Sequence, residues 1–292
     1  MFSVDGGIRY GWVTYNGTLS FSNSYRRGPV TTPDYDLSPV WTMNGVDKPG
    51  TEMQVATLGS GRVESWIFWP TKWAGTYVNQ VRNERNGLCL EVSSDVLVLA
   101  TCQQDLSKAG AQAFWLVEGQ NGTFWVVWAV NPQYYLVKGD GPRLKLLLSG
   151  NGLWRTLTTT TVTSETTRAQ WQTGGAVGNM TTLGVPGAQT PRQNWVVAAT
   201  AEAPGSTVRF ISMETGYCGE FKMAGGVFDT LFQSACQMGV QRQTFRLAPD
   251  GVNTYRINIA FHDSVGAAPA THGGVWFTQA SQRWVLNVSK LP

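Results

Sequence analysis

Charged side chains are scarce in this chain: Asp, Glu, Lys and Arg together make up 14% of its 292 residues, and the net charge is only +3. So small a balance, with no stripe of Lys and Arg, argues against a nucleic-acid partner. The basic doublet Arg26-Arg27 reads as a solvated loop rather than a phosphate site. Histidine is scarcer still, present only as His262 and His272. No Gly-x-Ser-x-Gly, His-Glu-x-x-His, Walker A or Rossmann glycine pattern occurs. His262-Asp263-Ser264 has the residue types of a catalytic triad, but adjacency in sequence is not triad geometry. Asp34 and Asp36 lie in a Pro-rich loop that reads as a solvated turn. The chain is therefore expected not to be an enzyme and to need no cofactor. Neither Cys-x-x-Cys nor any Cys/His spacing suits zinc, so no metal site is expected. No apolar run is long enough to span a bilayer as a helix. Met1-Phe2-Ser3-Val4-Asp5 lacks the basic and apolar regions of a secretory signal. We read it as the start of a secreted protein whose signal has been removed.

What the chain has in abundance is Gly (33), Trp (13) and other residues suited to strands and tight turns. It also repeats itself at an offset of 129–130 residues. Trp41 recurs as Trp171, Trp66 as Trp195, Cys89 as Cys218, Trp115 as Phe245 and Trp154 as Trp284. The flanks agree, with Arg85-Asn86-Gly87-Leu88-Cys89-Leu90-Glu91 opposite Glu214-Thr215-Gly216-Tyr217-Cys218-Gly219-Glu220. Five matches in one register indicate an internal duplication, and the length suits two domains. Four cysteines allow three connectivities. Duplication favours Cys89–Cys102 and Cys218–Cys236, because each copy then carries the same bridge. Paired cysteines point to an oxidising, extracellular location.

Within each copy a shorter period appears, with segments ending on Trp66, Trp115 and Trp154 and then on Trp195, Phe245 and Trp284. A glutamine precedes several of these rings, as in Gln112-Ala-Phe-Trp115, Gln193-Asn-Trp195, Gln243-Thr-Phe245 and Gln282-Arg-Trp284. Short alternating stretches such as Thr254-Tyr-Arg-Ile-Asn-Ile-Ala260 are broken by Gly, Asn and Asp turns. Three units of about forty residues, each with about four short strands, describe a threefold all-β domain closed on itself. The repeated rings then point inward as core, and the glutamines satisfy backbone groups at the turns.

Gln-x-Trp/Phe closing each of three lobes, with Gly-x-Cys-(Leu/Gly)-Glu and a second Cys in the same lobe, resembles the ricin-type β-trefoil lectins. The resemblance implies an all-β fold of two tandem β-trefoils related by internal duplication. Residues 1–37 form an N-terminal extension, 38–157 the first trefoil and 168–292 the second. The Thr-rich stretch at 158–167 has the composition of a linker. Bridges confined to the middle lobes, and the aromatic run Glu64-Ser-Trp-Ile-Phe-Trp-Pro70 ending the first lobe, also resemble the binding subunits of cytolethal distending toxins.

In the resembling lectins a lobe binds sugar through a carboxylate after the first Cys, an aromatic ring and an amide before the Gln-x-Trp. Here Glu91 and Glu220 stand at the carboxylate position, one methylene longer than Asp. Tyr134-Tyr135-Leu136-Val137 has no carboxylate, so the inherited pocket reads as degraded. The stronger candidate is Trp66-Ile-Phe-Trp-Pro-Thr-Lys-Trp73, where period-2 alternation puts Trp66 and Phe68 on one face and sends Trp69 and Trp73 to the other. Clustered exposed Trp marks interaction surfaces; alternatively these rings pack between domains or under the extension. The expected ligand-binding residues are thus Trp66, Phe68, Trp69, Trp73, Glu91 and Glu220. The expected partner is a cell-surface glycan or glycoprotein, and residues 1–37 are a docking segment for a separate catalytic toxin chain. A free-standing defence or adhesion lectin and a structural surface or virion protein are the alternatives.

Overall fold

The computed structural model describes residues 10–13, 19–22, 26–33, 37–43, 45–105, 110–120, 122–148, 152–185, 191–200, 207–224, 227–270 and 273–286. The chain divides into two compact units. The first comprises 1–33, 39–56 and 64–156; the second comprises 34–38, 57–63 and 157–292.

Strands of the first unit are β1 (Tyr10–Val13), β2 (Leu19–Ser22), β3 (Arg26–Gly28), β4 (Val30–Thr31), β5 (Pro39–Thr42), β6 (Gln54–Thr57), β7 (Trp66–Trp73) and β8 (Thr76–Asn83). They continue with β9 (Cys89–Ser93), β10 (Val96–Ala100), β11 (Phe114–Glu118), β12 (Phe124–Trp128), β13 (Tyr134–Lys138), β14 (Leu144–Leu148) and β15 (Leu153–Thr156). The second unit holds β16 (Thr158–Ser164), β17 (Gln170–Gln172), β18 (Thr182–Gly184), β19 (Asn194–Ala199), β20 (Thr207–Ser212) and β21 (Cys218–Ala224). It ends with β22 (Val227–Ser234), β23 (Phe245–Pro249), β24 (Thr254–Ile259), β25 (His262–Pro269), β26 (Val275–Thr278) and β27 (Arg283–Leu286).

Pairing closes each unit into a ring. In the second, β16 pairs β19, β19 pairs β20, β20 pairs β23, β23 pairs β24, β24 pairs β27, and β27 returns to β16. The hairpins β17–β18, β21–β22 and β25–β26 stand off this barrel, one for each third of the unit. The first unit repeats the scheme: β3 pairs β7, and the ring runs on through β8, β11, β12 and β15 back to β4. Its hairpins are β5–β6, β9–β10 and β13–β14. A six-stranded barrel with three hairpins in threefold array is a β-trefoil, and the chain is two of them in tandem. Closure leaves the barrel no open edge for another chain to pair with.

The pairing moves two expected boundaries. Residues 158–164, read from composition as linker, are β16, the first barrel strand of the second trefoil. Thr is β-branched and suits a strand as well as a linker. The partners that decide between the two lie 35 and 120 residues away, at Thr160↔Trp195 and Ser164↔Trp284. Likewise Arg26–Gly28 and Val30–Thr31, assigned to the extension, are the first barrel strand of the first trefoil. Earlier in the extension β1 and β2 form a hairpin, of which β1 runs beside β8 and β11.

Tryptophan fills both barrels. Trp41 meets Trp66 edge-on at 6.0 Å and Trp154 at 5.2 Å, and Phe68 meets Phe124 at 5.4 Å. Trp171 meets Trp195 at 6.0 Å, Trp284 at 5.4 Å and Phe210 at 5.2 Å. These edge-to-face contacts are the geometry that ring quadrupoles favour. The middle-lobe core ring of the first trefoil is Phe114, fully buried, and not the neighbouring Trp115, which is half-buried. A strand presents successive side chains to opposite faces, so a one-residue slip exchanges core for surface. The true repeat is Gln112-Ala-Phe114 against Gln243-Thr-Phe245.

Both bridges, Cys89–Cys102 and Cys218–Cys236, are formed, spanning 13 and 18 residues. Each ties a hairpin strand to the segment after its partner strand. Turns are matched as well: Gly87 (φ 69°) and Gly216 (φ 73°) take left-handed conformations two residues before the first cysteine of each bridge. Reducing both bridges is expected to remove about 3 kcal/mol each from a chain-entropy estimate. A guanidinium midpoint unmoved by reductant would rule that out.

Candidate functional site

The site begins with the β7–β8 hairpin, eight residues a side, turning through Ala74 (φ 47°) and Gly75 (φ 77°). Two consecutive positive φ angles make the tight turn whose twist matches that of the paired strands. Register places Trp69 opposite Gln80 and Ile67 opposite Arg82. Alternation then sets Trp66 and Phe68 inward, 0% and 1% exposed, and Trp69 outward at 44%. Trp66 and Phe68, expected as ligand contacts, are thus core residues. Trp73 shares the outward face but is half-buried, packed with Val78, Ala113, Ala129 and Trp115 in a small satellite cluster. Gly110 admits this packing, since a Cβ there would lie 3.0 Å from the Trp73 indole nitrogen. Trp69 alone of the four is an open ring.

Trp69 is held by a relay of side chains. The Arg82 guanidinium lies 5.0 Å over its ring centroid. Arg82 Nε and Nη2 donate to Gln80 Oε1 at 3.0 and 2.8 Å. Buried Gln80 donates through Nε2 to Gln103 O at 3.0 Å and to Gln112 Oε1 at 2.8 Å. Gln112, fully buried, donates in turn to Glu91 Oε2 at 2.8 Å and Thr101 O at 2.9 Å, and accepts from Gln103 N at 3.0 Å. The glutamine of the Gln-x-Phe motif therefore closes the turn beside Cys102, while its amide secures Glu91.

The middle lobe of the second trefoil repeats the anchor without the ring. Gln243 donates to Glu220 Oε2 at 3.0 Å and Ala235 O at 2.8 Å, and accepts from Gln237 N at 3.0 Å. Arg242 Nε stands 3.9 Å from Glu220 Oε1. Glu91 and Glu220, expected as sugar ligands, each have one oxygen engaged by their own lobe's glutamine. Where the first trefoil has Trp69 opposite Gln80, the second has Ala198 opposite Arg209, and Ile211 stands in the place of Arg82. All three are buried, so the second trefoil has no aromatic–cation pair at these positions.

The third lobe of the first trefoil has Leu136 and Gly152 where its middle lobe has Glu91 and Gln112. A Cβ on Gly152 would lie 2.2 Å from Leu136 O, so backbone fills the place of the missing amide. A cleft of about 210 Å³ beside it is lined by Thr32, Val137, Lys138, Leu147, Gly152, Leu153 and Trp154.

His262 Nδ1 lies 3.2 Å from Ser264 Oγ at the exposed start of β25; His272 lies outside the described residues. Among the described residues no group of His, Cys, Asp and Glu is disposed to hold a metal ion, and no helix is long and apolar enough to cross a membrane. Sequence reasoning missed Arg82 and Gln80. Both share the Thr76, Val78, Gln80, Arg82 alternation, but only the cross-strand register sets them beside Trp69.

No protein-family model matches the chain, and no curated protein matches it. Among solved structures, it is similar to a mosquitocidal holotoxin (12% identity, TM-score 0.40), covering 92% of this chain and 35% of the toxin. It is also similar to the hemolytic lectin CEL-III (10% identity, TM-score 0.48), covering 89% of this chain and 63% of the lectin. A third similar structure is the cytolethal distending toxin from Actinobacillus actinomycetemcomitans (16% identity, TM-score 0.37), covering 44% of this chain and 89% of that one. The chain thus spans about a third of the length of the holotoxin.

Proposed function

We propose that this protein is a secreted, non-catalytic binding protein that recognises a glycan, or a receptor carrying one, through the β7–β8 hairpin of its first trefoil. The single observation that carries this reading is Trp69, a large ring 44% exposed yet fixed by Arg82 and the buried amides beneath it. An open ring held in place suits a sugar, because the apolar C–H face of a pyranose packs on a π face. A ring already immobilised loses little entropy on binding. Two disulfides fit an oxidising compartment. Glu91 and Glu220 serve in this reading as locks for the motif glutamines rather than as sugar ligands. The resemblance to toxin-binding subunits supports a delivery role, with the part of residues 1–37 that precedes β3 as the docking element for a separate catalytic chain.

The test is a glycan array run beside binding to cultured cells. Trp69→Ser is expected to reduce binding at least about tenfold, the scale of a binding hot spot, with the far-ultraviolet circular dichroism unchanged. Binding indifferent to this substitution would overturn the reading.

A further inference from the structure

The site has an electrostatic feature that ring stacking leaves unused. Arg26 faces Glu118, Arg27 faces Glu84, Arg85 faces Asp47 and Arg143 faces Glu52. Arg82 is different: among the described residues its partners are the neutral amide of Gln80 and the ring of Trp69. The carboxylates on either side of it in sequence and sheet are already engaged, Glu84 by Arg27 and Glu91 by Gln112. The guanidinium has five N–H groups in a rigid fork. Nε and one Nη2 proton are committed side-on to the single Gln80 oxygen. That leaves the end-on edge, Nη1–H with the second Nη2–H, without an acceptor among the described residues. Two parallel N–H donors on a half-buried cation match the two oxygens of a carboxylate or sulfate.

We propose that the Trp69–Arg82 pair selects sugars bearing an acidic group, a carboxylate or a sulfate ester, over their neutral counterparts. This deepens the glycan-binding reading of the hairpin and rests on it. Trp69 supplies the stacking surface and Arg82 the anion contact. Gln80, hydrogen-bonded to Gln112, keeps the fork from swinging away when no ligand is bound. The second trefoil, with Ala198 and Ile211 at these positions, lacks the device.

The experiment prints neutral glycans beside their sialylated and sulfated forms and probes them with the full chain, with Trp69→Ser, and with Arg82→Gln and Arg82→Lys. The wild type is expected to prefer the acidic member of a pair by about tenfold, as a charge-assisted hydrogen bond gives, with binding falling as salt rises. Arg82→Gln is expected to abolish the preference while Arg82→Lys retains part of it, and sialylated against sulfated spots identifies which acid is read. Equal binding of neutral and acidic members, or a preference that survives Arg82→Gln, would overturn the proposal and leave the glycan reading standing. Trp69-dependent cell binding with no glycan signal would overturn the acidic-sugar assignment and favour a protein receptor. Binding indifferent to Trp69→Ser would overturn both. Should Arg82→Gln disturb folding, as judged by its melting curve, loss of the acidic preference at high salt in the wild type gives the same decision.

Discussion

Trp171→Ala is expected to cost the second trefoil about 3–5 kcal/mol, the range for emptying a buried aromatic site. Trp171 is fully buried and touches Trp195, Trp284 and Phe210 edge-on, so it joins rings from separate parts of the chain. A barrel closed by pairing has little freedom to collapse into the space the indole leaves, and the cost belongs at the upper end. Against a typical domain stability of about 5–15 kcal/mol, that is a large share. The measurement is chemical denaturation of wild type and variant, followed by tryptophan fluorescence. Because Trp171 belongs to a core cluster that contains no residue of the first trefoil, the hairpin carrying Trp69 is expected to stay folded at denaturant concentrations that melt the second barrel. A shift of less than about 1 kcal/mol, the size of an ordinary surface substitution or smaller cavity, would show that the ring is not a keystone.

Gln112→Leu has the second large effect, and for a different reason. Leucine removes no great volume but takes a hydrogen-bond partner from four polar groups at once: Thr101 O, Gln103 N, one oxygen of Glu91, and Gln80 Nε2, which keeps Gln103 O. Thr101 and Gln103 are exposed to water, so the cost is that of the hydrogen bonds lost. At about 0.5–1.5 kcal/mol for each neutral bond and about 1.5–3 kcal/mol for the charged one to Glu91, a loss of about 3 kcal/mol is expected. Gln80, which holds Arg82, keeps only one of its two anchors, so glycan binding is expected to weaken even in the fraction that folds. Gln243→Leu is the control. It takes the partner from Glu220, Ala235 O and Gln237 N, the counterparts of every group but Gln80, and is expected to come close to the stability loss while leaving binding intact. If both variants weaken binding alike, the relay to Trp69 is not what holds the site.

Much of this was legible beforehand. The spacing of aromatic rings and paired cysteines revealed the duplication, the threefold closure and both bridges. Each follows from residues close in sequence or from a repeat that advertises itself. Three things were not legible, all for one reason. Strand β16 reads as linker, because Thr has the composition of a linker and its pairing partners lie far along the chain. Trp115 passes for a core ring beside Phe114, because alternation reveals two faces without saying which is inside. Arg82 looks like any strand residue until register sets it over Trp69.

The sequence by itself determined that two like barrels form, each packed with tryptophan and stapled in its middle lobe. Periodicity of burial and local cross-links are properties of a chain read along its length. Only the tertiary structure decided which strands begin the barrels, which ring stays open, and which cation lies on it. Those depend on cross-strand register, a relation between residues that no local pattern encodes.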